Sequence, residues 1–215
     1  MSERVLEGAT TLFSLPEECE ELNEEWSQIP TPKQALVRNL LRGLEFRSIL
    51  DLGCGPGLYA KTLPKWDSYL GVDQSEPFLS LAAENLAELD GVEFQHDFIE
   101  DFKTAKEFDL ILCIDVLQHV PDVAILLRKI ASISSRFYLI NFLITKKEEA
   151  EPFMLPWGLG SIALTKDLAE EAVDNFRKAR STTIFRTGEV EYGEPFPWLR
   201  YIFYLLSRED SSGLS

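Results

Sequence analysis

Apolar residues along this chain fall into two spacings, short continuous runs and positions three to four apart, which predict strands and helices in alternation. Val37, Leu40, Leu41 and Leu44 predict a helix over residues 33–44, weakened near its end by Gly43. Residues 48–52 then read as a buried strand, 58–63 as a short helix stopped by Pro64, and 68–73 as a second strand. Ser75 is placed to cap a helix with Pro77 in its first turn and Leu79, Ala82, Ala83 and Leu86 on one face. A third strand is expected over 92–95. The unbroken apolar run 108–114 suits the centre of a parallel sheet. Val123, Leu126, Leu127 and Ile130 mark the next helix, 137–143 a fifth strand, and 165–178 a further helix. The strand-like runs 181–187 and 198–206 are separated by a turn-rich stretch with no helical pattern, which predicts an antiparallel pair at the sheet edge.

Strands that alternate with helices require crossovers, and parallel crossovers need covering helices. The fold class is therefore α/β: a doubly wound, mostly parallel sheet with helices on both faces and an antiparallel C-terminal strand pair. Residues 1–30 are acidic and end in Ile29-Pro30-Thr31-Pro32, and they read as an irregular arm or lid. Residues 31–208 read as a single domain and 209–215 as a tail.

Composition narrows the class. With 215 residues and 45% hydrophobic content the chain suffices for one sizeable core. Its 21 basic and 36 acidic residues give a net charge of −15, a field that repels phosphate backbones and anionic membranes, so neither nucleic acid nor membrane is expected as a partner. Cys19, Cys54 and Cys113 are odd in number and lack metal-ligand spacing, which fits a reducing cytoplasm. The N-terminus leads into no apolar targeting segment, so an unprocessed soluble protein is expected.

The candidate chemistry sits at Asp51-Leu52-Gly53-Cys54-Gly55-Pro56-Gly57, where a strand passes through three glycines into a predicted helix. Glycines at alternate positions allow a sharp turn and close approach to a ligand, and a helix start offers free N–H groups. Ligands of open α/β sheets bind at the carboxyl ends of strands. Aspartates stand at four such ends: Asp51, Asp73, Asp97 and Asp115. Asp73 lies at the spacing at which a carboxylate meets ribose hydroxyls, while Asp97 and Phe98 are placed for an adenine amino group and ring. A dinucleotide loop needs a small sixth residue; here that position is Leu58, and a glycine occupies the fifth. Four acidic strand ends repel a pyrophosphate and suit a cationic sulfonium, which favours S-adenosylmethionine.

Ile49-Leu50-Asp51-Leu52-Gly53-Cys54-Gly55-Pro56-Gly57, Gly71-Val72-Asp73-Gln74-Ser75 and the run from Phe108 through Asp115 to Val120 resemble, in order and spacing, the signature motifs of class I S-adenosylmethionine-dependent methyltransferases. The resemblance covers roughly residues 35–145. It implies a seven-stranded sheet with an antiparallel last strand, and S-adenosylmethionine as cofactor with S-adenosylhomocysteine as product. By position it implies Gly53, Gly55 and Gly57 at the methionyl part, Asp51 at the amino group, Asp73 at the ribose, Asp97 and Phe98 at the adenine, and the backbone of Cys113 to Asp115 beside the methyl group, with Cys54 and Gln74 also among the cofactor-binding residues.

His119 reads first as a helix-start residue packed beneath a loop, and alternatively as a general base, its imidazole suiting neutral pH. Asp115-x-x-Gln118-His119 resembles a metal-holding Glu-x-x-Glu-His segment of some methyltransferases, but Gln118 replaces a carboxylate with a neutral amide, so no metal is expected. The stretch 153–160 with Trp157, and Trp26 in the arm, are candidate acceptor-covering segments; Tyr192, Phe196 and Trp198 read as hairpin packing. The resulting expectation is methylation of a small molecule on oxygen or nitrogen, with protein methylation or a non-catalytic cofactor-binding module as alternatives.

Overall fold

The computed structural model describes residues 14–27, 31–154, 160–193 and 196–208. Helix α1 (Pro16–Ser27) precedes α2 (Pro32–Leu40), and β1 (Ser48–Leu52) leads through the glycine loop to β2 (Ser68–Asp73). Then come α3 (Glu76–Asn85), β3 (Val92–His96), β4 (Phe108–Cys113), α4 (Val123–Ser132) and β5 (Ser135–Thr145). A small pair, β6 (Glu151–Met154) and β7 (Gly160–Ala163), is followed by α5 (Lys166–Arg180), β8 (Thr182–Glu191) and β9 (Leu199–Arg208).

The main sheet has seven strands in the order β3-β2-β1-β4-β5-β9-β8. Its first five strands run parallel, and β9 pairs antiparallel with both β5 and β8. Chain order reverses between β1 and β4, so the crevice outside their carboxyl ends is where this architecture receives ligands.

Strand alternation divides the core in two. Leu50, Leu52, Val72, Ile111 and Tyr138 face the helices α4 and α5 through Leu127, Ile130, Val173 and Phe176. Ile49, Tyr69, Leu110, Leu112 and Phe137 face the opposite way, where Val37, Leu40 and Leu41 of the α2 region close the layer. Parity places Asp51 on this second face, two residues after Ile49, among apolar neighbours. That is how a carboxylate comes to be buried in the middle of a sheet.

Capping fixes the helix starts. Thr31 and Gln34 form a reciprocal capping box at α2, Ser75 accepts the Phe78 N–H at α3, and Thr165 accepts that of Leu168 at α5. Each such cap is worth about 1 kcal/mol.

Four sequence expectations are corrected. Residues 1–30 are not irregular throughout, since α1 occupies Pro16–Ser27 and packs Cys19 and Leu22 onto Phe78 of α3. The glycine loop is followed by turns and only a single 3-10 turn, Ala60–Thr62, because six residues before Pro64 are too few for a capped α-helix. Ala83 faces solvent, and the buried stripe runs Phe78, Ala82, Leu86. Part of the expected 153–160 loop is strand: β6 and β7 pair antiparallel from Glu151↔Ala163 to Met154↔Gly160. Pro152 and the glycines obscured that pattern. No described helix is long and apolar enough to cross a membrane.

Candidate functional site

The glycine loop leaves β1 at the switch point with Gly53, Gly55 and Gly57 all in the left-handed region, at φ of 75°, 51° and 73°. The three serve different purposes. A Cβ on Gly53 would lie 2.3 Å from Val116 Cγ2, so this glycine makes room for the segment that follows β4. One on Gly57 would lie 3.0 Å from Leu86 Cδ1, which ties the loop to the residue capping α3. A Cβ on Gly55 would meet nothing within 4 Å. Gly55 is therefore the position where bare backbone faces open space, a cradle that a side chain would fill.

Asp73 organises this loop. One carboxylate oxygen accepts the Gly55 N–H at 2.8 Å and the other the Ser75 N–H at 2.9 Å, joining the loop to the α3 cap. Burial pushes its carboxyl up, while these backbone donors and His96 act downward. A carboxylate has about four acceptor directions. The Gly55, Ser75 and Gln74 N–H groups draw on three of them, which leaves one for a further donor.

Asp51 is 2% exposed and accepts the Tyr69 hydroxyl at 2.7 Å. Burial and the neighbouring Asp73 push its carboxyl up to about 7, against the opposing Tyr69 hydrogen bond. Around neutral pH it is poised between neutral and charged forms, and an approaching ammonium would draw it to the charged one.

The other predicted positions gather around the same crevice with differing exposure. Cys54 is buried, its thiol directed at the Gly55 carbonyl, and burial raises its pKa. Cys113 is fully buried with its thiol likewise pushed up, so it can offer the site only backbone. The Gln74 carbonyl contacts His96 Nε2 at 2.9 Å. The Asp97 N–H donates to the Asp73 carbonyl, and its side chain accepts from Gln95 at 3.2 Å. Phe98 is 48% exposed beside it, an uncovered ring suited to stack on a base.

Asp115, just past β4, is a non-glycine residue at φ 61°. Asn141 of β5 holds it there: the Asp115 N–H donates to Asn141 Oδ1 at 2.8 Å, and Asn141 Nδ2 donates to Asp115 Oδ1 at 2.9 Å. Its Oδ2 pairs with Lys33 of α2 at 2.5 Å and accepts the Tyr59 hydroxyl at 3.4 Å. Lys33 Nζ also lies 4.2 Å from the Tyr201 ring centroid.

His119 turns Nδ1 toward the Gly160 carbonyl and Ser161 Oγ, each at 3.2 Å. Burial, with a smaller contribution from Lys33, holds its imidazole down at about 4, while the Gly160 carbonyl and Asp115 act upward. That weakens it as a base. Gln118 is 5% exposed with Oε1 unpartnered among the described protein atoms. Trp157 and the side chain of Trp26, expected near the acceptor, lie outside the described residues. Tyr192 stacks on Tyr201 with centroids 5.7 Å apart, and Phe196 meets Trp198 edge-on, so this hairpin cluster is packed.

Lys33, Tyr59, Tyr69 and Asn141 were not expected from sequence. A lone amide in the apolar run 137–143 marks Asn141 in retrospect, whereas Lys33 reaches its partner from 82 positions away and carries no local signal.

Residues 49–135 match the family model described as a methyltransferase domain. Over 86 residues the chain is 36% identical to a ubiquinone biosynthesis O-methyltransferase of Aromatoleum aromaticum, covering 38% of this chain and 37% of the relative. It thus spans well under half the length of that relative. A Burkholderia thailandensis 1,6-didemethyltoxoflavin-N1-methyltransferase, solved with its substrate and S-adenosylhomocysteine, superposes with a TM-score of 0.69 at 16% identity, over 97% of this chain and 91% of that one. A magnesium protoporphyrin IX methyltransferase from Synechocystis with S-adenosylhomocysteine gives 0.66 at 16% identity, over 93% and 97%. At that identity the superpositions establish the fold.

Proposed function

We propose, from the premise that the domain at residues 49–135 belongs to the class I S-adenosylmethionine-dependent methyltransferase family, that this chain transfers a methyl group from S-adenosylmethionine to a small-molecule acceptor. The observation that carries the reading is Gly55, bare and open at the β1/β4 switch point, with its N–H held by Asp73. When bound, the cofactor supplies a methyl group activated by a positively charged sulfur, so the protein has to align the acceptor and exclude water.

The residues suit such a ligand. Asp73 is offered to the ribose, Asp97 and Phe98 to the adenine, and Asp51 to the amino group, where release of the buried carboxyl's proton to solvent completes the ion pair. Relatives named for O-methylation and neighbours solved with small-molecule acceptors support a small-molecule substrate over a protein one. A cytoplasmic setting agrees with three buried cysteines that form no disulfide.

Calorimetry with S-adenosylmethionine and S-adenosylhomocysteine on wild type and Asp73→Ala tests the cofactor half. Binding by wild type and a loss of at least about tenfold in the variant is expected, in line with one to two lost charge-assisted hydrogen bonds. Absence of binding by wild type would sink the reading. Incubating metabolite extracts with methyl-labelled donor then tests the acceptor half, and label found only in protein would overturn the small-molecule choice.

A further inference from the structure

We propose that the paired Lys33 and Asp115 form the acceptor site, and that they select an acidic hydroxyl, of the phenol or enol class, over amines and saturated alcohols. The proposal rests on the methyl-transfer reading and deepens it.

The placement follows from topology. Asp115 stands at the carboxyl end of β4, across the switch point from the glycine loop at the end of β1. The two segments touch, since Val116 fills the space left by the missing side chain of Gly53. A group held at Asp115 is therefore in the same crevice as the open Gly55 backbone.

The carboxylate is held in one orientation with an acceptor direction to spare. Asn141, itself fully buried, fixes it by two reciprocal hydrogen bonds in a backbone conformation that non-glycine residues seldom adopt. Three donors, from Lys33, Tyr59 and Asn141, occupy three of its roughly four acceptor directions. One direction remains, and its side chain is 28% exposed. Lys33 is equally well placed: the capping box of Thr31 and Gln34 fixes the start of α2 one turn around it, and the Tyr201 ring supports its ammonium.

Charge then decides the acceptor class. As an acceptor hydroxyl gives its proton to Asp115, negative charge develops on the oxygen beside the Lys33 ammonium, which stabilises it. The oxygen forms its bond to the methyl carbon while the methyl–sulfur bond breaks, its electron pair staying on the sulfur, which becomes a neutral thioether. Atoms and charge balance with the proton on Asp115. An amine would instead become cationic beside Lys33, an unfavourable pairing of like charges. A saturated alcohol, about as weak an acid as water, is far beyond the reach of a carboxylate base, whereas a phenol lies near about 10.

Two measurements test this. The first needs no methyl donor: 4-nitrophenol, whose phenolate absorbs visible light, is titrated with protein while its ionisation is followed. Wild type should lower the probe's apparent pKa enough to raise the phenolate fraction about tenfold, and Lys33→Met should lose that shift. The second compares matched phenols, anilines and cyclohexanols as acceptors of labelled methyl. Label should enter phenols, and Asp115→Asn and Lys33→Met should each lose at least about a hundredfold in kcat/KM, while S-adenosylhomocysteine affinity and urea midpoint stay near wild type. Labelling of anilines in preference to phenols, unchanged probe ionisation with wild type, or undiminished turnover in Lys33→Met would each overturn the proposal. Failure of wild type to bind S-adenosylhomocysteine would instead overturn the underlying methyl-transfer reading, and the two failures are read by different experiments.

Discussion

Asp51→Asn should change how stability depends on pH, because it removes a carboxyl that the fold keeps largely protonated below neutrality. Burial is the main cause and Asp73 a further one, raising Asp51 from 3.8 to about 7 against the Tyr69 hydrogen bond. The folded value lies above the unfolded one, so the contribution is fully present below about 3.8 and is lost as pH rises through about 7. Spanning that interval corresponds to about 4 kcal/mol. His119 acts with the opposite sign. Its imidazole is lowered from 6.5 to about 4, so its contribution is present above 6.5 and lost as pH falls through about 4. Between these limits the two slopes largely cancel in the wild type. In Asp51→Asn the histidine slope stands alone, at about 1.4 kcal/mol per pH unit. Urea unfolding followed by tryptophan fluorescence should therefore show the stability difference moving in favour of the variant by about 3 kcal/mol between about pH 5 and about pH 8. A difference constant to within about 0.5 kcal/mol across that range would refute the reasoning, since it would mean that Asp51 is already ionised in the folded protein.

Two substitutions separate the roles of neighbouring glycines. Gly55→Val places a side chain in open space, so the fold should lose only the roughly 1–2 kcal/mol of left-handed strain while calorimetric affinity for S-adenosylhomocysteine falls at least about a hundredfold; retained affinity would show that the ligand lies elsewhere. Gly53→Ala drives a Cβ into Val116 and should destabilise by at least about 2 kcal/mol, with part of the loss recovered in the Gly53→Ala/Val116→Ala double variant. Simple additivity in that double-mutant cycle would mean that the two loops are not coupled.

What the sequence reveals here divides along the range of the interactions. Strands such as 108–113 and caps such as Ser75 are set by neighbours a few residues away, and pattern reasoning finds them. The four strand-end aspartates are legible for the same reason, because strand ends are where ligands bind. Their partners are not. Tyr69 meets Asp51 across 18 positions, and Lys33 meets Asp115 across 82, pairings that exist only once strand order is known. The glycines show the limit most clearly: three look alike in sequence, yet Val116, Leu86 and empty space stand opposite them. Helix α1 escaped notice because its many glutamates leave Cys19 and Leu22 as its small apolar face.

The attachment of α2 has a bearing on how the protein is made. Lys33 sits at its first turn, but the other end of the helix is held by Arg186 of β8, which donates to the carbonyls of Leu40 and Arg42, and Leu36 packs over Gly188. Tyr201, which supports Lys33, comes later still, on β9. On the ribosome, α2 and β1 through β5 emerge before these strands. The helix bearing Lys33 is synthesised before β8 and β9, the strands that seat it, so a chain lacking those two strands would lack the residues that position α2.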